Sequence, residues 1–247
     1  MSSASVRLDK LLSSNGFGSR RDIKRMLRSR RLSVNGTICF DAGTQIQLEK
    51  DLIELDGSLI SLKTFVYLML NKPAGVITST EDPSHKTVID LLPLPWSAMS
   101  LFPVGRRDLD TEGLLLLTND GPLTHRLTSP KTGEDKTYYA RLRDPVNEEM
   151  FARYSQIFSS GVLFKDGYTC MPAILGRAGE EKNAFYLTIQ EGKYHQVKKM
   201  FRVVDNEVIY LKRISMGSMK LDLSLSPGEW RELTSLELDY LFESAGC

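Results

Sequence analysis

Along residues 7–14 apolar and charged positions recur at helical spacing until Asn15-Gly16 interrupts them, which predicts a short helix. Ser19 followed three residues later by Asp22 has the form of a capping box, and Ile23, Met26 and Leu27 carry an apolar stripe through a second helix to about Ser29. From Arg31 the period shortens to two. Leu32–Phe40 alternates around Asn35-Gly36, the strongest short hairpin signal, and Ile46, Leu48, Ile53, Leu55 and Ile60 continue in short strands with a further turn at Asp56-Gly57. Residues 58–65 read as a linker, which divides the chain into domains of residues 1–60 and 61–247.

The second domain opens with Phe65–Leu70, a strand running into Asn71-Lys72-Pro73-Ala74-Gly75, a turn whose proline cannot continue a ladder. Val76–Thr78 resumes the strand, and Val88–Leu92 is a short helix or turn ended by Pro93 and Pro95. The uninterrupted leucines of Gly113–Thr118 predict a strand buried on both faces and broken by Asn119-Asp120-Gly121. Pro122–Leu127 suits a helix with proline in its first turn. Residues 136–142, 168–174, 184–190 and 207–214 read as strands, and 147–158 and 195–204 as helices. Strands outnumber helices at hairpin-length spacings, so the expected class is α+β with a mixed, mostly antiparallel sheet.

Composition changes this picture in one place. A net charge of +1 and 41% hydrophobic residues suit a packed globular protein, yet residues 1–36 carry nine Lys and Arg against two Asp, a net +7 that leaves −6 for the remainder. On a helical wheel Arg20, Lys24, Arg28 and Arg31 fall within about a quarter of the circumference, a basic ridge that together with Arg21 suits a polyanion, nucleic acid first. Two helices followed by a small sheet, with the runs Arg7–Leu12 and Gly18–Arg21, resemble the S4 RNA-binding domain. Cys39, Cys170 and Cys247 lack metal-ligand spacing. No apolar stretch approaches a membrane span or a signal peptide. The expectation is a cytoplasmic monomer with no metal and no membrane attachment.

Leu101–Gly121 holds the best candidate chemistry. Asp108 is flanked by Arg106 and Arg107 between a turn and the leucines, where cations favour an ionised carboxylate able to act as nucleophile or base. Asp110 fits the same description, and spacing alone does not choose between them. In Ile189–Met200 a glycine breaks a strand and a helix opens with His195, Gln196, Lys198 and Lys199, donors suited to a phosphate or a base. His195 has no second ligand at zinc spacing. Lys136–Ala140 puts Tyr138 and Tyr139 on opposite faces of a strand, so one can be core while the other stacks on a base. No Walker loop, dinucleotide fingerprint or Gly-x-Ser-x-Gly elbow is present, and no cofactor is indicated.

Asn71–Gly75, Gly105–Thr111 with Gly113–Gly121, Lys136–Tyr138 and Glu191–Met200 resemble, in order, the motifs of the RsuA/RluB/RluE/RluF family of RNA pseudouridine synthases. The resemblance implies an enzyme that isomerises a uridine to pseudouridine in ribosomal RNA or a ribosomal subunit precursor, without a cofactor. It implies that Asp108 rather than Asp110 is the essential carboxylate, that Tyr138 stacks on the target uracil, that Lys198 pairs with the aspartate and that Arg106 occupies the space of the flipped base. Lys72, His195 and Gln196 join the N-terminal cations as expected RNA contacts. Arg107 stands where the family has leucine, and Lys198 where the wider superfamily has arginine. The Glu191–Lys198 form and the short C-terminus favour 16S over 23S ribosomal RNA as target. A non-catalytic ribosome-assembly factor, the alternative from another class, would be expected to have lost Asp108 or Tyr138.

Overall fold

The computed structural model describes residues 5–129 and 133–244, so Cys247 lies outside the described residues. The chain forms two compact units: residues 5–67, 89–102 and 118–120 make one, and residues 68–88, 103–117 and those from 121 onward make the other. Among the described residues no helix is long and apolar enough to cross a membrane.

In the N-terminal unit the helices Leu8–Ser14 and Arg20–Arg28 are followed by a four-stranded sheet in the order Thr37–Ile38, Leu32–Val34, Ile53–Leu55, Ser58–Leu59. Ser19 and Asp22 close the expected capping box. Asn35 and Gly36 have φ of 52° and 74°, and Asp56 and Gly57 54° and 80°, so both hairpins turn through paired left-handed residues that match the strand twist. The second hairpin makes a strand of Ser58–Leu59, at the start of the expected linker, while Leu48 and Ile60 lie outside the strands. Leu8, Leu11, Leu12, Ile23, Leu27, Leu32 and Ile46 form a core with no more than 1% exposure. With that stripe inward, Arg20, Arg21, Lys24 and Arg28 are exposed. Arg31 does not belong to the helical ridge. The helix ends at Arg28, and the Arg31 guanidinium forks onto the Asp56 carboxylate at 2.5 and 2.8 Å.

The second unit is organised by a twisted sheet with the order Ile174–Arg177, Ala184–Ile189, Lys136–Leu142, Val208–Met216, Glu112–Thr118, Tyr67–Lys72, Trp230–Glu232. Its registered pairs are antiparallel except that Val208–Met216 runs parallel to Glu112–Thr118. Leu114–Leu117 are at most 2% exposed, as a strand covered on both faces requires. Helices Glu148–Ser159 and Gln196–Val203 pack Tyr154, Phe158 and Phe201 onto Phe185 of the sheet.

Three expectations are corrected here. Asn71 and Lys72 prolong their strand instead of forming a turn. Val76–Thr78 makes only a single bridge, Ile77 to Thr87, because it pairs across a loop with no neighbouring ladder to extend it. The strand expected over 168–174 begins only at Ile174, since Tyr168 and Cys170 bond back to Phe164 and Val162 in a local loop. The helix Ser235–Ser244 was not anticipated, although Thr234 and Glu237 form a capping box at its start.

Gly113 is where the parallel pair is tightest. It has φ of 94°, and a Cβ there would collide with the carbonyl oxygen of Arg213 on the neighbouring strand. Gly113→Ala is therefore expected to cost about 3 kcal/mol or more from combined left-handed strain and overpacking. The urea midpoint of unfolding checks this, and an unchanged midpoint contradicts it.

Candidate active site

The site begins at the buried end of the strand Tyr67–Lys72. Lys72 is 0% exposed, and its ammonium donates to the carbonyls of Pro73 at 2.9 Å, Leu109 at 3.2 Å and Thr111 at 2.9 Å. Two of these acceptors belong to the loop that carries Asp108. The Gly75 N–H adds a bond to the Leu109 carbonyl at 2.9 Å. On the other side of Asp108, Thr78 Oγ1 both accepts from the Arg107 N–H and donates to the Arg107 carbonyl, each at 2.9 Å. Asp108 thus projects from a backbone held on both flanks. Burial pushes the Lys72 ammonium down from 10.5 to about 8, although the Asp110, Glu112 and Asp108 carboxylates oppose the shift. It is charged at neutral pH.

Facing this loop is the start of the helix Gln196–Val203. His195, immediately before it, is left-handed at φ of 53°, a conformation rare outside glycine and asparagine. Its ring stacks on Tyr194 at 3.8 Å between centroids, and its Nε2 stands 3.5 Å from Asp108 Oδ1. Lys198 Nζ stands 3.5 Å from Asp108 Oδ2 but only 2.5 Å from Asp110 Oδ1. The two carboxylates left equivalent by spacing are therefore distinguished by position. Burial raises the Asp110 carboxyl, but the Lys198 hydrogen bond and charge outweigh it and hold the group below the ordinary carboxylate range. The Asp110 side chain is 69% exposed. Asp108, at 24%, lines a narrow cleft of about 50 Å³ together with Tyr138, Ile189, Val197 and Leu211. Each Asp108 oxygen has a nitrogen nearby, His195 Nε2 for one and Lys198 Nζ for the other, at a separation too long for a strong charge-assisted hydrogen bond.

Tyr138 and Tyr139 do part to opposite faces: Tyr138 is buried in the cleft wall, and Tyr139 meets Tyr186 and Tyr210 edge to face at 6.0 Å. The Arg107 guanidinium lies 6.0 Å above the Tyr138 ring. Arg107 thus covers the tyrosine from the position where the family motif has leucine. A volume of about 50 Å³ holds one or two waters and no base. A base can reach Tyr138 only after this cover moves.

A family model described as RNA pseudouridylate synthase matches residues 66–202, and one for the S4 domain matches residues 6–53. The chain belongs to the RNA pseudouridylate synthase family. It is 43% identical over 240 residues to the uncharacterized RNA pseudouridine synthase YtzG of Bacillus subtilis, covering 96% of this chain and 99% of that one. It is 41% identical over 237 residues to ribosomal small subunit pseudouridine synthase A of Yersinia pestis, covering 94% and 97%. A crystal structure of a pseudouridylate synthase matches with a TM-score of 0.66 at 38% identity, covering 96% of this chain and all of that one. The protein is an RNA-modifying isomerase with an N-terminal S4 domain.

In this pseudouridine synthase, Asp108, Tyr138, His195, Lys198 and Arg106 meet at one cleft. Two other expected RNA contacts are held by groups of the protein itself, although Gln196 also lines the cleft. Lys72 is buried under the loop that carries Asp108, because its strand continues through it and turns its side chain inward. Gln196 is 3% exposed, and its amide is committed to the Glu191 carboxylate and the Lys193 N–H at 2.8 and 2.9 Å. Sequence reasoning missed the Thr78 clasp on Arg107, the Lys198–Asp110 bond and the tethering role of Lys72. Only the last had a signal, a lysine placed at the end of an apolar strand.

Loss of the Lys72 tether is expected to free the Asp108 loop. Lys72→Met should lower kcat on the order of a hundredfold with KM little changed, as steady-state pseudouridine formation measures. The folded-state pKa of about 8 lies below the unfolded 10.5. The unfolded chain therefore holds more protons between those values, and the Lys72 contribution to stability rises with pH across that window by up to about 1.4 kcal/mol per unit. Urea unfolding should show wild type gaining on Lys72→Met from pH 8 to pH 10.5; parallel profiles would contradict this.

Proposed function

We propose that this enzyme isomerises a uridine of small-subunit ribosomal RNA, with Asp108 as the carboxylate that acts on the ribose. The observation that carries the reading is the placement of Asp108: inside the cleft beside Tyr138, between His195 and Lys198, while its neighbour Asp110 absorbs the strong bond from Lys198. The near identity in length to the small-subunit enzyme of Yersinia pestis, at 41% identity, supports the target class.

The reaction breaks the bond between the anomeric carbon and the base nitrogen, turns the uracil within the site, and rejoins it through carbon five, which gives up its proton while the freed ring nitrogen takes one up. Atoms are conserved and no electrons leave the substrate. Asp108 acts on the sugar during the break, and Lys198 and His195 flank its two oxygens and orient it. Tyr138 receives the extruded base once Arg107 swings off its ring, a stacking contact worth about 1–3 kcal/mol that offsets part of the few kcal/mol of unstacking. The exposed cations Arg20, Arg21, Lys24 and Arg28 hold RNA phosphates on the S4 domain, and Arg106 enters the place the base vacates.

Asp108→Ala is expected to reduce pseudouridine formation on small-subunit RNA or precursor particles to background while leaving RNA affinity unchanged. Substantial turnover by this variant overturns the assignment. Charge reversal at Arg20, Lys24 and Arg28 should weaken binding and flatten the dependence of log affinity on log salt by about 2–3. An unchanged slope would remove RNA contact from that helix.

A further inference from the structure

A second cavity, of about 350 Å³, lies behind Arg107. Its charged walls are Arg106, Arg107, Lys136, Lys193 and Arg213, with Glu191 the one carboxylate among them. That carboxylate is committed: it accepts from the Tyr168 hydroxyl at 2.5 Å, the Met171 N–H at 2.8 Å and the Gln196 amide at 2.8 Å. Five cationic residues therefore line the space, with no free counter-charge among its described wall residues. Burial, reinforced by the charge of Arg107, pushes the Lys136 ammonium below its ordinary pKa.

Arg213 is the sharper observation. It is 0% exposed, yet its guanidinium reaches no carboxylate: Nε donates to the Leu114 carbonyl at 2.9 Å, Nη1 points at the Met216 sulfur at 3.5 Å, and Nη2 has no partner among the described residues. Arg107 Nε is likewise buried and has no partner among the described residues. Two guanidinium groups with unspent donors on one cavity are costly in the free protein, since an unpaired buried donor loses its water without recompense. The cost is recovered when an anion arrives with acceptor oxygens that match the fork geometry.

We infer that this cavity takes a backbone phosphate of the RNA, from a linkage next to the nucleotide in the Asp108 cleft. The inference rests on the reading of that cleft given above. Arg106, Arg107 and Lys193 line both cavities, so the two spaces adjoin and a continuous strand can occupy both. The volume exceeds that of a bare phosphate and reaches the lower range of small-ligand pockets, enough for a phosphate with its ribose. Arg107 then has two tasks in sequence. It covers Tyr138 in the free enzyme, and on RNA binding it turns to the phosphate and opens the ring to the base.

The test uses the full chain and a short RNA with one uridine in a cytidine strand, its linkages replaced one at a time by neutral methylphosphonates. Wild type is expected to lose at least about tenfold in affinity when one linkage beside the uridine is neutralised. Arg107→Leu should bind the unmodified RNA about tenfold more weakly, with a log–log salt slope smaller by about 0.7, and should no longer sense that linkage. Thermal unfolding establishes that the variant is folded, and Arg213→Lys, which keeps the charge and loses the fork, should show the same insensitivity. Equal penalties at every linkage in wild type and Arg107→Leu overturn the proposal. So would inorganic phosphate that shifts the side-chain resonances of labelled Arg107 and Arg213 as strongly as the RNA does, since the ligand would then be free phosphate. Pseudouridine formation is scored in parallel, so its loss alongside intact linkage-specific binding counts against the Asp108 assignment alone.

Discussion

The bond set around the Lys72 ammonium is the constraint on which the site depends. An ammonium withdrawn from water loses several kcal/mol of hydration, and its three hydrogen bonds offset part of this, the lowered pKa reflecting what burial still costs. Those bonds go to carbonyls of the Pro73 turn and of the loop around Asp108, so the strand that ends at Lys72 and the loop after Gly105 are fixed to one atom. The nearby carboxylates Asp108, Asp110 and Glu112 keep the lysine from losing its proton at neutral pH, and the lysine in turn offsets their mutual repulsion.

Around that anchor the charges divide into committed and uncommitted groups. Lys198 is committed to Asp110, and this leaves Asp108 close to Lys198 and His195 without a short bond to either. A carboxylate so placed keeps lone pairs for a substrate. The same division recurs behind Arg107, where Glu191 is fully engaged and the guanidinium groups are not.

Much of this was legible in the sequence. The Asn35-Gly36 and Asp56-Gly57 hairpins, the Ser19–Asp22 cap and the leucine strand follow from local rules, and the four motifs in order pointed to Asp108, Tyr138 and Lys198. The remainder depends on partners that no local pattern identifies. Lys72 reads as a turn cation until its strand is seen to bury it against residues 109 and 111. Gln196 reads as a donor to substrate until Glu191, five residues earlier, claims it. Arg107 was unexplained as a replacement for leucine until its guanidinium was found over Tyr138, across residues that no periodicity connects.

The central claim is that Asp108 in this cleft modifies a uridine of small-subunit ribosomal RNA. The direct measurement is a pseudouridine map of ribosomal RNA from cells lacking the protein, complemented with wild type or with Asp108→Asn. A small-subunit pseudouridine that disappears with the protein, returns with wild type and stays absent with Asp108→Asn is the predicted result. Its return with Asp108→Asn, or a map unchanged by loss of the protein, would contradict the account.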